Sequence, residues 1–138
     1  MRFFLFSLSL FALSTVNCAL ADIDIRVNGS SWATIESDGD VRINGSYVGQ
    51  IESDGDVRKD GSYVGQVESD GDIKKNGSYY AVIEEDGDLR IDGSYKARIE
   101  PGGTIRLKGS CWGSASSLCG YEDLRKVAAL LIFFRDEF

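Results

Sequence analysis

The middle of this chain repeats a unit of sixteen residues with little variation. The unit reads IESDGDVRINGSYVGQ over residues 35–50, returns over 51–66, 67–82 and 83–98, and decays over 99–114. A partial copy, IRVNGSSWAT, comes before them over residues 25–34. A short fixed period is typical of architectures in which identical supersecondary units stack on one another. The repeat therefore constrains the fold strongly, and it places every candidate site at several equivalent positions.

Each unit carries two turn signals, an Asp-Gly pair and then an Asn-Gly or Asp-Gly pair, which alternate at spacings of 6 and 10 residues. The residues between them are β-branched or aromatic, which favours strands. The sequence therefore predicts an all-β chain of antiparallel hairpins.

The alternation of apolar and polar residues selects a register for these strands. Three-residue loops at both turns pair Ile35 with Val41 and Val41 with Tyr47, so that these three side chains share the inner face. The same register puts Ile43 inside a turn. Because the next unit has Lys59 there, we expect this position to be exposed.

One inward position of the repeat is always small. Glycine inside a strand normally costs stability, so its recurrence predicts that backbones of successive units approach closely around a shared axis. Closure into a ring would also remove the exposed sheet edges of an open array. The small residues are Ala33, Gly49, Gly65, Ala81, Ala97 and Gly113.

The first 21 residues have the pattern of a secretory signal. Arg2 precedes an apolar run, and Ala19 and Ala21 supply small residues before a cleavage point. We therefore expect cleavage after Ala21 and a periplasmic or extracellular protein. The alternatives are an uncleaved membrane anchor and a lipidated Cys18.

The net charge limits the partners of the chain, and the cysteine count predicts a disulfide. The chain has 22 acidic and 15 basic residues, a formal net charge of −7, which argues against nucleic acid as a partner. Cleavage would leave two cysteines, Cys111 and Cys119, and an exported chain with an even pair predicts one disulfide between them. The alternative is two reduced thiols that are buried separately.

The C-terminal segment departs from the repeat. Residues 121–134, YEDLRKVAALLIFF, lack turn residues and begin with acids where a helix N-terminus favours them. We predict a short helix that caps or plugs the ring, too short to span a bilayer; docking on a lipid surface or a partner is the alternative. The predicted organisation is a signal peptide over 1–21, a repeat domain over 22–114, and a loop with an apolar helix over 115–138.

The export signal, the five units of GxIExDGxVR type and the aromatic tail over Leu130–Phe134 resemble the bacterial 5-fold β-flower family. The resemblance covers residues 22–138. It implies an exported protein with five β-hairpin petals in a closed ring about a pseudo-fivefold axis, and it implies no particular activity. The chain departs from the usual pattern at Pro101–Thr104, where both turn aspartates are missing, and at the insert between Cys111 and Cys119.

Catalysis is poorly supported by the residues. The chain has no histidine, and its carboxylates come in near-identical copies. Acid–base catalysis needs two groups whose environments separate their pKa values, which repetition does not provide. We therefore predict that the protein is not an enzyme.

The acidic turns are a candidate calcium site, because Ca²⁺ binds several carboxylate and carbonyl oxygens. The alternative is that basic residues on the same face neutralise these acids and that the turn itself requires the aspartates. The twelve candidate ligands are Glu36, Asp38, Asp40, Glu52, Asp54, Asp56, Glu68, Asp70, Asp72, Glu84, Asp86 and Asp88.

Three aromatic residues are candidates for stacking on sugar rings. Trp32, Tyr80 and Trp112 follow the tyrosine position of the repeat, on the outward face of the predicted register. Because Trp32 and Trp112 fall in the first and last copies, packing where the ring closes is the alternative. Choline-binding repeats are a second candidate architecture, although their longer unit rich in tryptophan is not present.

These observations predict a non-catalytic, exported structural or protein-interaction module without a cofactor. A glycan-binding module that uses exposed aromatic residues is the first alternative, and a surface protein stabilised by Ca²⁺ is the second. The expected partner is an envelope or extracellular protein or a glycan.

Overall fold

Twelve antiparallel strands and one helix make up the computed structural model, which describes residues 21–135. The predicted signal peptide and Cys18 lie in the segment before these residues. The strands are β1 (Ile23–Val27), β2 (Ser30–Ile35), β3 (Asp40–Ile43), β4 (Ser46–Ile51), β5 (Asp56–Lys59), β6 (Ser62–Val67), β7 (Asp72–Lys75), β8 (Ser78–Ile83), β9 (Asp88–Ile91), β10 (Ser94–Ile99), β11 (Thr104–Leu107) and β12 (Ser110–Ala115). The helix α1 spans Gly120–Phe133.

The strands close into a barrel, as the repeat predicted. Each strand pairs with its neighbours in sequence, and β1 pairs with β12 through Ile25 opposite Ala115 and Val27 opposite Gly113. The barrel contains six hairpins, and the prediction of five was therefore wrong. The partial first copy is the reason, because its Asn28-Gly29 turn joins β1 and β2 into a complete hairpin.

The two turns of each unit differ in length, and this corrects the predicted register. Ser37, Asp38 and Gly39 form the expected three-residue loop, and the pairing of Ile35 with Val41 is confirmed. The second loop has only two residues, Asn44 and Gly45, both with positive φ, as in the hairpin turns that match strand twist. The pairing of Val41 with Tyr47 was therefore wrong.

A β-bulge follows the two-residue turn. Tyr47 lies opposite Arg42, while Val41 lies opposite Gly49, so that Val48 is the extra residue of β4. The bulge restores Gly49 and Ile51 to the inner face but leaves Tyr47 on the outer face. The same irregularity occurs in all six hairpins.

The shorter turn also changes the position of Ile43, which was expected in an exposed loop. Ile43 belongs to β3 and is half-buried, its equivalent Ile91 is 6% exposed, and Lys59 is half-buried. Only Lys75 at this position is exposed. The aliphatic members complete the inner face near the end of the barrel.

The helix α1 packs against the inner face of the barrel as a plug. Its residues from Val127 to Phe133 are buried all round, and they form one apolar cluster with inward residues such as Ile35, Val57 and Ile73. The sequence placed both ends of the helix within one residue. Between residues 21 and 135, no helix is long and apolar enough to cross a bilayer.

The small residues of the repeat make room for this plug. A Cβ on Gly49 would lie 2.7 Å from Cε1 of Phe134, and one on Gly65 would meet the ring of Phe133. Both would also meet a carbonyl oxygen of the next strand. The close approach predicted from these glycines is present, but the helix aromatics share in it and the strand backbones alone do not account for it.

Candidate functional site

Four tyrosines stand exposed on the outer face of consecutive hairpins, and we call them the tyrosine belt. They are the largest apolar side chains with high exposure among residues 21–135, at 39–53%. The belt consists of Tyr47 on β4, Tyr63 on β6, Tyr79 on β8 and Tyr95 on β10.

Each belt tyrosine has a cation directly across from it. Tyr47 faces Arg42, and the next three hairpins repeat the pair with Arg58, Lys74 and Arg90. Successive tyrosines lie two strands apart, and strands are spaced about 4.8 Å, so the belt repeats at roughly 9.6 Å around the barrel. The outer face thus presents one aromatic and cationic pair on each of these four hairpins.

Sequence reasoning missed the belt because it placed Tyr47 on the inner face. One signal was available: the equivalent residues in the first and last copies are Ser31 and Cys111, both exposed. Replacement of a buried tyrosine by serine would leave a cavity in the core. The polar replacements were therefore evidence for an outward position.

Each of the four acidic turns, which join one hairpin to the next, brings three carboxylates together. In each turn, one oxygen from each carboxylate lies within 4.8 Å of the others. In the first turn two of the three carboxylates have a partner: Glu36 pairs with Arg42 at 2.6 Å, and Asp38 Oδ1 accepts the Asp40 N–H at 3.0 Å. The ion pair raises the pKa of Arg42, chiefly through the hydrogen bond to Glu36.

The decayed turn over residues 100–104 is an internal comparison for these acids. Glu100 N–H donates to Thr104 O at 2.8 Å, and Gly103 N–H donates to Glu100 O at 2.8 Å, as in the acidic turns. Glu100 also pairs with Arg106 at 2.9 Å. The turn thus forms without its two aspartates, so the turn geometry does not require them.

The three predicted sugar-stacking aromatics are half-buried. Trp32 and Trp112 meet edge to face with ring centroids 5.5 Å apart, where β1 and β12 close the barrel. Tyr80 lies under Lys75 Nζ, 5.0 Å from the ring centroid. All three pack against the apolar core, so they present less ring face than the belt does.

Tyr121 fixes the helix N-terminus to one turn of the barrel. Its hydroxyl donates to the carbonyl oxygens of Ile83 and, at 3.2 Å, of Asp70. One turn further along the helix, Arg125 donates to Glu68 O at 3.3 Å. Burial raises the pKa of Tyr121, and the nearby Arg125 charge opposes this only in part.

The predicted disulfide between Cys111 and Cys119 is absent, because Cys111 is exposed and its thiol is free. Cys111 lies beside the tight turn that begins β12, whereas Cys119 precedes the helix at the opposite end of the barrel. The strand from Cys111 to Ala115 rises about 13 Å. A disulfide needs Cα atoms within about 7 Å.

Comparison with known proteins found no family model, no curated protein and no solved structure that matches the chain.

Proposed function

We propose that this protein is a non-catalytic, exported interaction module that contacts an envelope or extracellular protein through the tyrosine belt. The observation that carries the proposal is the exposure of the same large aromatic side chain on four consecutive hairpins. Tyrosine and arginine are enriched among the residues that dominate protein interfaces. A partner that contacts several hairpins at once would gain avidity from weak, equivalent contacts.

The absence of catalysis is supported by chemistry. The chain has no histidine, and the glutamate of each acidic turn is held in an ion pair with arginine or lysine. Export rests on the signal pattern of residues 1–21, and membership of the β-flower family rests on the repeat string. Intact mass of the exported form should begin at Asp22; a retained Met1 or a lipid on Cys18 would contradict the cleavage.

A glycan-binding module is the second candidate, and the belt favours it more than Trp32, Tyr80 and Trp112 do. The belt rings are exposed and lie on the same face as the amides of Gln50 and Gln66, which are able to hydrogen-bond sugar hydroxyls. A role for Ca²⁺ in holding the outer turns is the third candidate.

Substitution of the belt tests the proposal. The double variant Tyr63→Ser and Tyr79→Ser should fold, because Ser31 already holds this position in the first hairpin. The double variant Asp60→Asn and Asp92→Asn is the matched control, because it changes exposed turns outside the belt where Asn44 and Asn76 already hold the same position. Both are compared with the wild type in crosslinked capture from the envelope fraction and on a glycan array.

The two classes of partner give opposite results in this experiment. A protein captured by the wild type and the control but lost from the belt variant supports the interaction module. Array signals lost from the same variant would support the glycan alternative. Capture and array signals that survive the belt substitutions would contradict both.

A further inference from the structure

One inward position of the repeat is aliphatic in four hairpins and lysine in two adjacent ones. This inward position at the end of β1, β3, β9 and β11 is aliphatic, but at the end of β5 and β7 it is Lys59 and Lys75. The aliphatic members are Val27, Ile43, Ile91 and Leu107. Since four hairpins fold with an aliphatic residue here, the two lysines are not a requirement of the barrel.

The lysines border a cavity of about 320 Å³ at the barrel end where α1 terminates, which we call the barrel-end cavity. Val64 and Tyr80 line it from the barrel, and Ile132 and Phe133 of the helix line it from within. Its volume is at the lower end of the range for small-molecule sites. The cavity therefore has a mixed lining, in which apolar and aromatic side chains lie beside basic ones.

Positive charge gathers at this mouth although the chain carries a net charge of −7. Arg135 joins the two lysines as a lining residue, and its guanidinium lies 4.9 Å from the ring centroid of Trp112. Within residues 21–135, neither Lys59 nor Lys75 forms an ion pair with a carboxylate. Basic groups that line one cavity repel one another, and a bound anion would relieve that repulsion.

We propose that the barrel-end cavity binds a small organic anion, a carboxylate carried on an apolar body. The ammonium groups of Lys59 and Lys75 bind the carboxylate through charge-assisted hydrogen bonds. The apolar body lies against Val64, Ile132 and Phe133 and is removed from water there. This site is separate from the tyrosine belt and does not depend on the function proposed for it.

Calorimetric titration of the full chain with three probes tests the contribution of the charge and the contribution of the apolar body separately. Octanoate has both the charge and the apolar body, octanol lacks the charge, and acetate lacks the body. We expect saturable binding of octanoate and at least about tenfold weaker binding of the other two, since each lacks one class of contact. Equal binding of octanol, or no saturable binding of octanoate, would overturn the proposal.

The repeat supplies a variant that should fold. The double variant Lys59→Ile and Lys75→Ile installs the residue that Ile43 and Ile91 already hold, and it should weaken octanoate binding about tenfold or more. Lys74→Gln removes a neighbouring charge from the outer face, where Lys74 pairs with Glu68, and should leave octanoate binding unchanged. Unchanged affinity in the double variant would also overturn the proposal, with thermal melting used to verify that each variant is folded.

Discussion

Single residues adapt a nearly symmetric barrel to one plug. Six similar hairpins offer the helix several similar orientations, so the differences between copies must select one. Glycine replaces alanine at Gly49 and Gly65, where Phe134 and Phe133 pack, whereas Ala81 and Ala97 hold the same position elsewhere. Gly49 and Gly65 thus make room for the helix aromatics, whereas Gly113 meets only the backbone of Arg26 and Val27 and serves the close approach of strands.

Substitution of Gly65 tests this packing. Gly65→Val places a side chain against the Phe133 ring and Lys74 O, and it should lower the free energy of unfolding by about 1–3 kcal/mol through overpacking. Gly102→Val is the matched control, because nothing lies within 4 Å of its added Cβ. Urea denaturation measures both; equal losses in the two variants would contradict the contact between Gly65 and the plug.

Tyr121 predicts a specific pH dependence of stability. The pKa of Tyr121 is raised in the folded protein. The contribution of Tyr121 to the free energy of unfolding is therefore complete below the unfolded pKa of about 10, and it is lost as pH rises through the folded pKa. Tyr121→Phe should cost about 1 kcal/mol at neutral pH from its lost hydrogen bonds. The difference in stability between wild type and variant should then shrink above pH 10, as followed by denaturant unfolding across pH. A difference that grows with pH would contradict the part-buried, hydrogen-bonded hydroxyl.

At the scale of the hairpin, the sequence predicted the strands, the turn positions and the pairing across the Asp-Gly turn. It did not predict the bulge, because alternation alone cannot distinguish a three-residue loop from a two-residue loop followed by an extra residue. Both solutions return Gly49 to the inner face, and they differ only in the side to which Tyr47 points. The candidate surface was therefore misplaced by a local irregularity that the repeat copies six times.

The acidic turns give the prediction for metal. We expect millimolar Ca²⁺ to change the melting temperature no more than sodium at matched ionic strength, because the glutamates already hold arginine or lysine and the net charge is −7. Asp54→Asn should respond to both salts as the wild type does. A calcium-specific rise, about 2.7 kcal/mol at a hundredfold excess over the dissociation constant, that disappears in Asp54→Asn would contradict this.

At the scale of the whole molecule, closure and the plug were predicted, because short hairpins with an apolar face need both a partner for their edges and a filled interior. The number of hairpins was not, since the partial first copy looked incomplete without its strand partners. The disulfide prediction failed because cysteine number carries no information on which end of a barrel each cysteine reaches. The lysines of the barrel-end cavity were likewise visible only once the inner face was known.

The barrel fold requires that a tyrosine on each of four consecutive hairpins faces the solvent, while the half-buried Tyr121 anchors the start of the helix. Nitration of the folded protein with tetranitromethane, mapped by peptide mass spectrometry, tests it directly. The account predicts modification of Tyr47, Tyr63, Tyr79 and Tyr95, which are 39–53% exposed, and protection of Tyr121 until the protein unfolds. Protection of the four belt tyrosines in the folded protein, with Tyr121 modified, would contradict both the register and the surface.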